Sequence, residues 1–157
     1  MATSSVDGTF KLWDVRLMSR KPNCIKSVKQ EFAINCATFC PTNGATLVTN
    51  DNKDEIRVYR GPFCELERVV KHNHKQYQET SLLKATWHSS LDIILMSKSS
   101  SDDIQGIDII DVRKGNIIAH LNDGEPGILA INTFNATGDV IASSRGSNLI
   151  IWKRELT

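Results

Sequence analysis

A repeated pattern of short alternating strands constrains the fold of this chain more than any other feature. Three segments share a strand that ends in an aromatic residue, a polar turn and a second strand: residues 37–49, 85–97 and 132–143. The aromatic residue is Phe39, Trp87 or Phe134, at spacings of 48 and 47 residues. Self-similarity at a fixed period of about 20–50 residues indicates a repeat architecture.

A second set of strands follows these hairpins, with bulky residues at alternate positions, as half-buried strands require. The set comprises residues 10–14, 56–59, 107–111 and 149–152, closed by Trp13, Tyr59, Ile110 and Trp152. Weaker strands are expected near 24–28, 66–70 and 116–121, and no stretch has convincing helical periodicity. Four short antiparallel strands per repeat predict an all-β fold, a β-propeller, with the strand aromatics packed between blades.

Strand order also predicts which loops share an end of the propeller, because successive loops of an antiparallel meander alternate between two ends. We call "end one" the end that carries the turns 7–8, 51–54, 98–103 and 145–148 and the connection 71–81. "End two" carries the turns 41–44, 89–92 and 136–139 and the links that begin at Arg16, Gly61 and Arg113.

The connection 71–81 is about twice as long as the corresponding connections at 30–33 and 123–127. It contains two histidines, two lysines, three amides and Tyr77. Long loops on rigid scaffolds concentrate binding residues, and an aromatic ring among amides and cations suits stacking on a base beside phosphate. A solvated surface loop is the alternative interpretation.

Composition narrows the function classes. Nineteen basic and eighteen acidic residues give a net charge of +1, which excludes coating of nucleic acid by charge alone and leaves a local basic patch open. Neither an apolar run near the roughly 18 residues of a membrane span nor a signal peptide is readable, so a soluble, intracellular protein without a membrane partner is expected.

Catalytic and metal-binding patterns give no candidate site. Cys36 and Cys40 are four residues apart and histidines follow, but they lie in an alternating strand, where reduced thiols are favoured over a zinc site. The chain has no glycine-rich phosphate loop, nucleophile elbow or H-E-x-x-H motif. We therefore predict no enzyme activity, no metal and no cofactor.

Residues 5–16 resemble the closing half of a WD repeat, with the Asp7-Gly8 turn and the Trp13-Asp14 pair. The segments 55–59, 83–88, 134–139 and 149–152 extend the resemblance over the whole chain. Together they resemble the C-terminal half of the WD-repeat damage sensors of nucleotide-excision repair, the family of the small subunit of the UV-damaged-DNA-binding protein. The resemblance implies a nuclear protein that binds damaged double-stranded DNA and acts as a substrate receptor for a cullin–RING ubiquitin ligase.

The same resemblance implies a DNA-binding wedge. In that family a Phe-Gln-His wedge enters the minor groove at the lesion and holds the extruded bases outward, and here it aligns with Tyr77, Gln78 and Glu79. Tyr77 keeps the aromatic ring, which preserves stacking. Glu79 places a carboxylate among phosphates, which weakens binding unless a cation such as Lys75 offsets it.

Four cations are candidates for contact with the DNA backbone. Lys75 takes the place of an arginine in the family, and Lys98 takes the place of another basic residue. Lys53 and Arg145 are added because their loops open at end one. Solvated side chains are the alternative for all four.

A second motif points to a protein partner. Trp13, Asp14 and Arg16 resemble the Trp-Asp-x-Arg box of receptors that dock on the large subunit, the adaptor of the ligase; a local Asp14–Arg16 ion pair that supports the blade is the alternative. The family's N-terminal helical adaptor contact has no counterpart here, which counts against adaptor binding by this chain. A WD scaffold that binds proteins or histones without lesion specificity is the alternative function, and Glu79 favours it.

Length sets the last expectation. Seven blades, the number that the family implies, need about 280–315 residues at about 40–45 per repeat. With 157 residues, this chain is expected to hold about three and a half blades, with repeats at approximately 1–16 (partial), 17–60, 61–113 and 114–154. We therefore expect a truncated isoform, a fragment or an incomplete gene product that cannot close its ring alone.

Overall fold

A computed structural model describes residues 1–17, 24–74, 83–99 and 105–153. Over these ranges the chain is all-β apart from one 3-10 turn at Val15–Leu17. The strands are β1 Ala2–Ser4, β2 Thr9–Trp13, β3 Cys24–Lys29, β4 Ile34–Phe39, β5 Leu47–Asp51, β6 Glu55–Arg60, β7 Glu65–Lys71, β8 Thr86–Trp87, β9 Ile93–Lys98, β10 Gly106–Asp111, β11 Asn116–Leu121, β12 Ile131–Phe134, β13 Val140–Arg145 and β14 Asn148–Lys153.

The strands form four antiparallel meanders, β1–β3, β4–β7, β8–β11 and β12–β14. The weak strand that opens each sequence repeat pairs with the preceding sheet: β3 lies beside β2, with Val28 opposite Phe10. Each sheet therefore straddles two sequence repeats, and this arrangement links consecutive blades. The prediction of an all-β, partial WD-repeat propeller is confirmed, while the repeat boundaries stay a prediction.

A β-bulge recurs at one position of the repeat. The pairing register shifts between Leu12 and Trp13, between Val58 and Tyr59, and between Ile109 and Ile110, in each case just before the residue that closes the strand. A bulge bends its strand and increases the local twist. Three sheets thus share the same local distortion, as expected of a structural repeat.

Three hydrophobic cores lie between successive sheets. The first joins the β1–β3 and β4–β7 sheets, where the rings of Phe10 and Tyr59 meet edge to face at 4.9 Å. The second joins the β4–β7 and β8–β11 sheets around Val48, Trp87 and Met96. A third core, around Leu95, Ile107, Leu129 and Ile141, joins the last two sheets. Burial of these side chains holds neighbouring blades at fixed positions.

The expectation that the strand aromatics pack between blades is correct for Tyr59 and Trp87, which lie within the cores, and for Phe39, Phe134 and Trp152, which pack against them. Tyr59 and Trp87 are buried, but Trp13, Phe39, Phe134 and Trp152 are only half-buried. These four residues lie at or next to the end-two termini of their strands. The indole N–H groups of Trp13 and Trp152 bond to Thr3 Oγ1 and Ser143 Oγ, at 2.9 and 3.0 Å.

Contacts between loops match the predicted ends. At end one, the Ser99 N–H donates to the Asn73 carbonyl at 2.9 Å. At end two, Arg113 Nε donates to Asp92 Oδ2 at 2.6 Å. Within the described ranges, no helix has the length and the apolar composition needed to cross a bilayer.

Candidate nucleic-acid interface at end one

The connection that follows β7 begins with two buried histidines. His72 and His74 are 3% and 1% exposed. His72 Nε2 lies 3.1 Å from Asp108 Oδ2, and His74 Nε2 lies 2.8 Å from the carbonyl oxygen of Asp51. The His74 backbone N–H also donates to Asp54 Oδ1 at 2.7 Å. These contacts fix the chain up to residue 74 against two neighbouring sheets.

The same connection ends in a second buried anchor. Asn50, on β5, is fully buried; its Nδ2 donates to the Leu83 carbonyl at 2.8 Å and its Oδ1 accepts the Ala85 N–H at 3.2 Å. The Leu83 side chain is also fully buried, in the second core. The chain from residue 83 onward is therefore fixed by one amide and one apolar side chain.

The proposed wedge lies between these two anchors. Tyr77, Gln78, Glu79 and Lys75 all fall in residues 75–82, which lie outside the described residues. We call residues 75–82 the binding segment. The structure gives the points from which this segment leaves and to which it returns, His74 and Leu83, and both are at end one.

Burial of the two histidines corrects one part of the sequence argument. From the composition of residues 71–81, both imidazoles are expected to be loop side chains available to a ligand. Instead they point into the protein, where His72 Nε2 contacts the Asp108 carboxylate and His74 Nε2 contacts the Asp51 carbonyl. The ligand-facing part of the connection is shorter than the sequence suggests.

Three of the described lysines at end one have no carboxylate partner among the described residues. In the part of the chain that the structure describes, Lys53, Lys84 and Lys98 form no ion pair. Lys53 is exposed in the β5–β6 turn, and its Nζ lies 5.0 Å from the centre of the Phe32 ring. Lys84 is exposed next to the Leu83 anchor, and Lys98 is half-buried at the end of β9. Ammonium groups in such positions are available to phosphate.

Arg145 differs from these lysines. Its guanidinium forms a two-pronged ion pair with Asp123, with N–O distances of 2.5 and 2.8 Å, and its Nε donates to the Gly127 carbonyl at 3.1 Å. Only 13% of the side chain is exposed. Hydrogen bonds and charge from Asp123 raise the pKa of Arg145. Contact with a phosphate would require this pair to break, so Arg145 is a weak candidate.

Trp13, Asp14 and Arg16 lie away from the binding segment, at end two. Arg16 Nε and Nη2 donate to the two carboxylate oxygens of Asp14 at 2.9 and 2.6 Å, so the local ion pair exists. These hydrogen bonds, together with the Arg16 backbone N–H, lower the pKa of Asp14 to about 2. The Arg16 side chain is 85% exposed, whereas Asp14 is 19% exposed.

Comparison of the sequence with known proteins identifies the family of the chain. No protein-family model matches the chain. The full chain is 40% identical to DNA damage-binding protein 2 of Danio rerio and covers 33% of that protein. It is 35% identical, over 99% of its length, to DNA damage-binding protein 2 of Gallus gallus, of which it covers 32%. The chain belongs to the DNA damage-binding protein 2 family. A more distant relative, Protein DAMAGED DNA-BINDING 2 of Arabidopsis thaliana, is 25% identical over 94% of the chain and is covered over 28% of its own length.

The chain thus spans about a third of the length of these DNA damage-binding protein 2 relatives. Identity extends over the whole chain, so both anchors of the binding segment lie within the matched region. The relatives' names refer to binding of damaged DNA and not to an enzymatic activity.

Sequence reasoning missed three residues of this family member's candidate interface. Phe32 lies in the short connection 30–33, where its ring contacts Lys53. An aromatic residue in an end-one loop is a sequence signal that could have identified it. Lys84 directly follows the Leu83 anchor, and its charge was an equally usable signal. Asn50 gave no signal, because a polar residue in an alternating strand is ordinarily assigned to the solvent face.

Proposed function

We propose that this chain supplies a damaged-DNA-binding surface at end one, centred on the binding segment, and that it acts in the nucleus in nucleotide-excision repair. One observation carries the proposal. Residues 75–82 are bracketed by two buried anchors, at His74 and Leu83, and the same end carries Lys53, Lys84 and Lys98, which form no ion pair within the described residues. A loop whose two ends are fixed, on a surface that carries lysines available to phosphate, suits insertion into a charged duplex.

In this mechanism the binding segment acts as a wedge. Tyr77 occupies the gap left by extruded bases and stacks on the neighbouring pair, with Gln78 beside it. Unstacking costs least at a damaged pair, so a wedge of fixed position favours lesions over intact duplex. Fixed anchors matter because a loop that must first become ordered loses part of its binding energy to entropy.

Phosphate contact supplies the part of the affinity that does not depend on the lesion. Lys53, Lys84 and Lys98 act with Lys75 as point charges toward the backbone, and each releases counterions when it binds. Glu79 opposes them locally, so a glutamate within the wedge lowers affinity for every duplex. The net effect is a modest background affinity, with discrimination left to the wedge.

The test uses the purified protein and matched duplexes, one irradiated with UV light and one intact, in an electrophoretic mobility-shift titration. Tyr77→Ala is expected to remove the preference for irradiated DNA while leaving the salt-dependent background. Phe63→Ala is the matched control, since Phe63 is an aromatic residue that is 65% exposed in the β6–β7 turn of end two. Equal affinity of the unaltered protein for both duplexes would refute lesion recognition.

A second function concerns end two. The exposed guanidinium of Arg16, at the opposite end from the binding segment, suits docking on the large subunit that joins a cullin–RING ubiquitin ligase. Arg16→Ala is expected to weaken binding of that subunit and to leave DNA binding intact. If the protein instead retains histone tails and shows no preference for irradiated DNA, it is a protein-binding WD scaffold, as Glu79 would favour.

A further inference from the structure

Arg57 lies beneath the β5–β6 turn and joins two end-one loops that come from different sheets. Its side chain is only 14% exposed. Nη1 donates to Gln30 Oε1 at 2.6 Å, and the same nitrogen lies 3.6 Å from Asp51 Oδ2. Nη2 donates to Glu55 Oε2. The guanidinium therefore contacts the connection between β3 and β4 on one side and the turn that carries Lys53 on the other.

Asp51 links this arginine to the conformation of the turn. Its side chain is fully buried, and Oδ1 accepts the backbone N–H groups of Lys53 and Glu55 at 2.8 and 3.0 Å. Between these two residues Asp54 adopts a left-handed conformation, with a φ of +73°, which a non-glycine residue keeps only when its surroundings enforce it. Within the described residues, Asp51 Oδ2 forms no hydrogen bond, and Arg57 is the only cation that pairs with this carboxylate. The guanidinium therefore balances the buried charge on which the turn depends.

The ammonium group of Lys53 lies over a ring of the neighbouring loop. Nζ is 5.0 Å from the centre of the Phe32 ring, a distance at which an ammonium is attracted to an aromatic face. The two loops are also joined by a backbone hydrogen bond of 3.1 Å, from the Asn52 N–H to the Ala33 carbonyl. The contact between Lys53 and Phe32 therefore requires that the 51–54 turn and the 30–33 connection keep their relative positions.

Gln30 ties the 30–33 connection to the same arginine. It is 6% exposed, and its Nε2 donates to Thr49 Oγ1 and Tyr59 Oη at 2.8 and 2.9 Å. Its backbone N–H donates to the Gly8 carbonyl at 2.7 Å. Loss of the Arg57 guanidinium would leave the amide oxygen of this buried side chain without its donor, which carries a desolvation penalty.

The repeat itself does not need an ion pair at this position. The register of the two hairpins places Lys11 in the first sheet where Arg57 lies in the second. There the neutral Ser5 Oγ accepts the N–H of the turn at 3.3 Å, Gly8 supplies the left-handed conformation with a φ of +80°, and Lys11 is exposed. That solution avoids the desolvation cost of a buried charge pair. The second sheet thus has an interaction that its fold does not require, beneath a turn that presents a lysine at end one.

We propose that Arg57 is a positioning residue for DNA binding, which keeps Lys53 ordered over the Phe32 ring so that its ammonium meets a phosphate without first losing rotational freedom. The proposal rests on the proposed function for its effect on DNA. Ordering a long side chain at an interface costs binding free energy, and an interaction that orders it beforehand removes that cost. Arg57 itself does not contact the duplex, because its guanidinium is occupied by an amide and two carboxylates.

Proton and nitrogen-15 NMR of the protein without DNA tests the positioning itself. The methylene protons next to Lys53 Nζ should be shifted upfield by the aromatic ring beneath them, and Arg57→Gln should remove this shift. The Lys53 amide, which donates to Asp51 Oδ1, should exchange with solvent faster in the same variant. The matched control is Arg145→Gln, since Arg145 is a 13% exposed arginine at end one that pairs with a carboxylate outside this turn, and it should leave the Lys53 signals unchanged. Unchanged Lys53 signals in Arg57→Gln would overturn the proposal whatever the DNA result.

Titration of intact duplex at several salt concentrations tests the consequence. Arg57→Gln should lower the affinity about twofold to tenfold and leave the slope of log K against log salt unchanged, because Lys53 still reaches phosphate but must be ordered on binding. In a Lys53→Ala background, Arg57→Gln should have no further effect. A loss that persists in that background refutes action through Lys53 and indicates a general structural role. A slope reduced by about one in Arg57→Gln alone also refutes the proposal, since Arg57 would then contact phosphate itself.

Arg57→Lys keeps the proposal testable if Arg57→Gln does not fold. It retains a cation beside Asp51 but lacks the planar fork that also bonds Gln30, so it should lower the affinity in the same direction and again only when Lys53 is present. If the protein binds DNA and Lys53→Ala has no effect, the proposal is refuted while the proposed function stands. If neither irradiated nor intact duplex is bound, the proposed function fails, and the NMR result alone decides whether Arg57 positions Lys53.

Discussion

Substitution of Asn50 tests the claim that the binding segment returns to a rigid anchor. Asn50 is fully buried, and its amide satisfies the Leu83 carbonyl and the Ala85 N–H, at 2.8 and 3.2 Å. Asn50→Ala leaves both backbone groups unpaired in the interior, and each costs about 1–3 kcal/mol. We therefore expect the free energy of unfolding to fall by about 2–5 kcal/mol.

Urea unfolding monitored by tryptophan fluorescence measures this loss, with Asn43→Ala as the matched control. Asn43 likewise bonds two backbone groups, since its Oδ1 accepts the Ala45 and Thr46 N–H groups, but it lies in an exposed turn at end two where water can replace it. The control should lose only about 0.5–1.5 kcal/mol. Amide exchange should show the extra loosening at Leu83 to Ala85. Equal destabilisation by the two substitutions would refute the reasoning, because burial would then have no part in the cost.

Three further outcomes follow from the contacts of single residues. Lys53→Ala should weaken binding to any duplex and reduce the salt slope by about one, whereas Arg145→Ala should leave the slope unchanged because its guanidinium is held by a carboxylate. Carbon-13 NMR of the Asp14 carboxyl should give a pKa of about 2, and Arg16→Ala should return this pKa toward 3.8. The contribution of the pair to stability is therefore present above pH 3.8 and is lost as the pH falls toward 2. Gly138→Ala should lower stability by about 1–3 kcal/mol in thermal unfolding, since φ is +81° and a Cβ would collide with a buried imidazole.

The sequence predicted the features that depend only on the order of residues along the chain, namely the strands and the end of the propeller to which each loop belongs. Alternating bulky residues located the strands, and antiparallel connection alone assigned Lys53 and Lys98 to the end that carries the binding segment. It could not predict contacts between sheets. Asp123 and Arg145 are 22 positions apart in the chain, and Asp108, the carboxylate that contacts the buried His72, lies in a different sheet from β7. Composition therefore overstated the ligand-facing part of the 71–81 connection.

The near-zero net charge also conceals how few cations are available to DNA. Nineteen basic residues are balanced by eighteen acidic ones, and several arginines are neutralised within the fold, including Arg57 by Glu55 and Arg113 by Asp92. If Lys53, Lys84 and Lys98 alone contact phosphate, the slope of log K against log salt for intact duplex should be about −2.7, and a contact from Lys75 would make it about −3.6. Filter-binding measurements between low and physiological salt resolve these values. A slope near zero would show that the duplex does not bind these lysines, whereas a slope steeper than about −6 would require at least about six phosphate contacts, more than the four lysines named here supply. Under the proposed function, lesion preference comes from the wedge, because the charge contribution is small and equal for both duplexes.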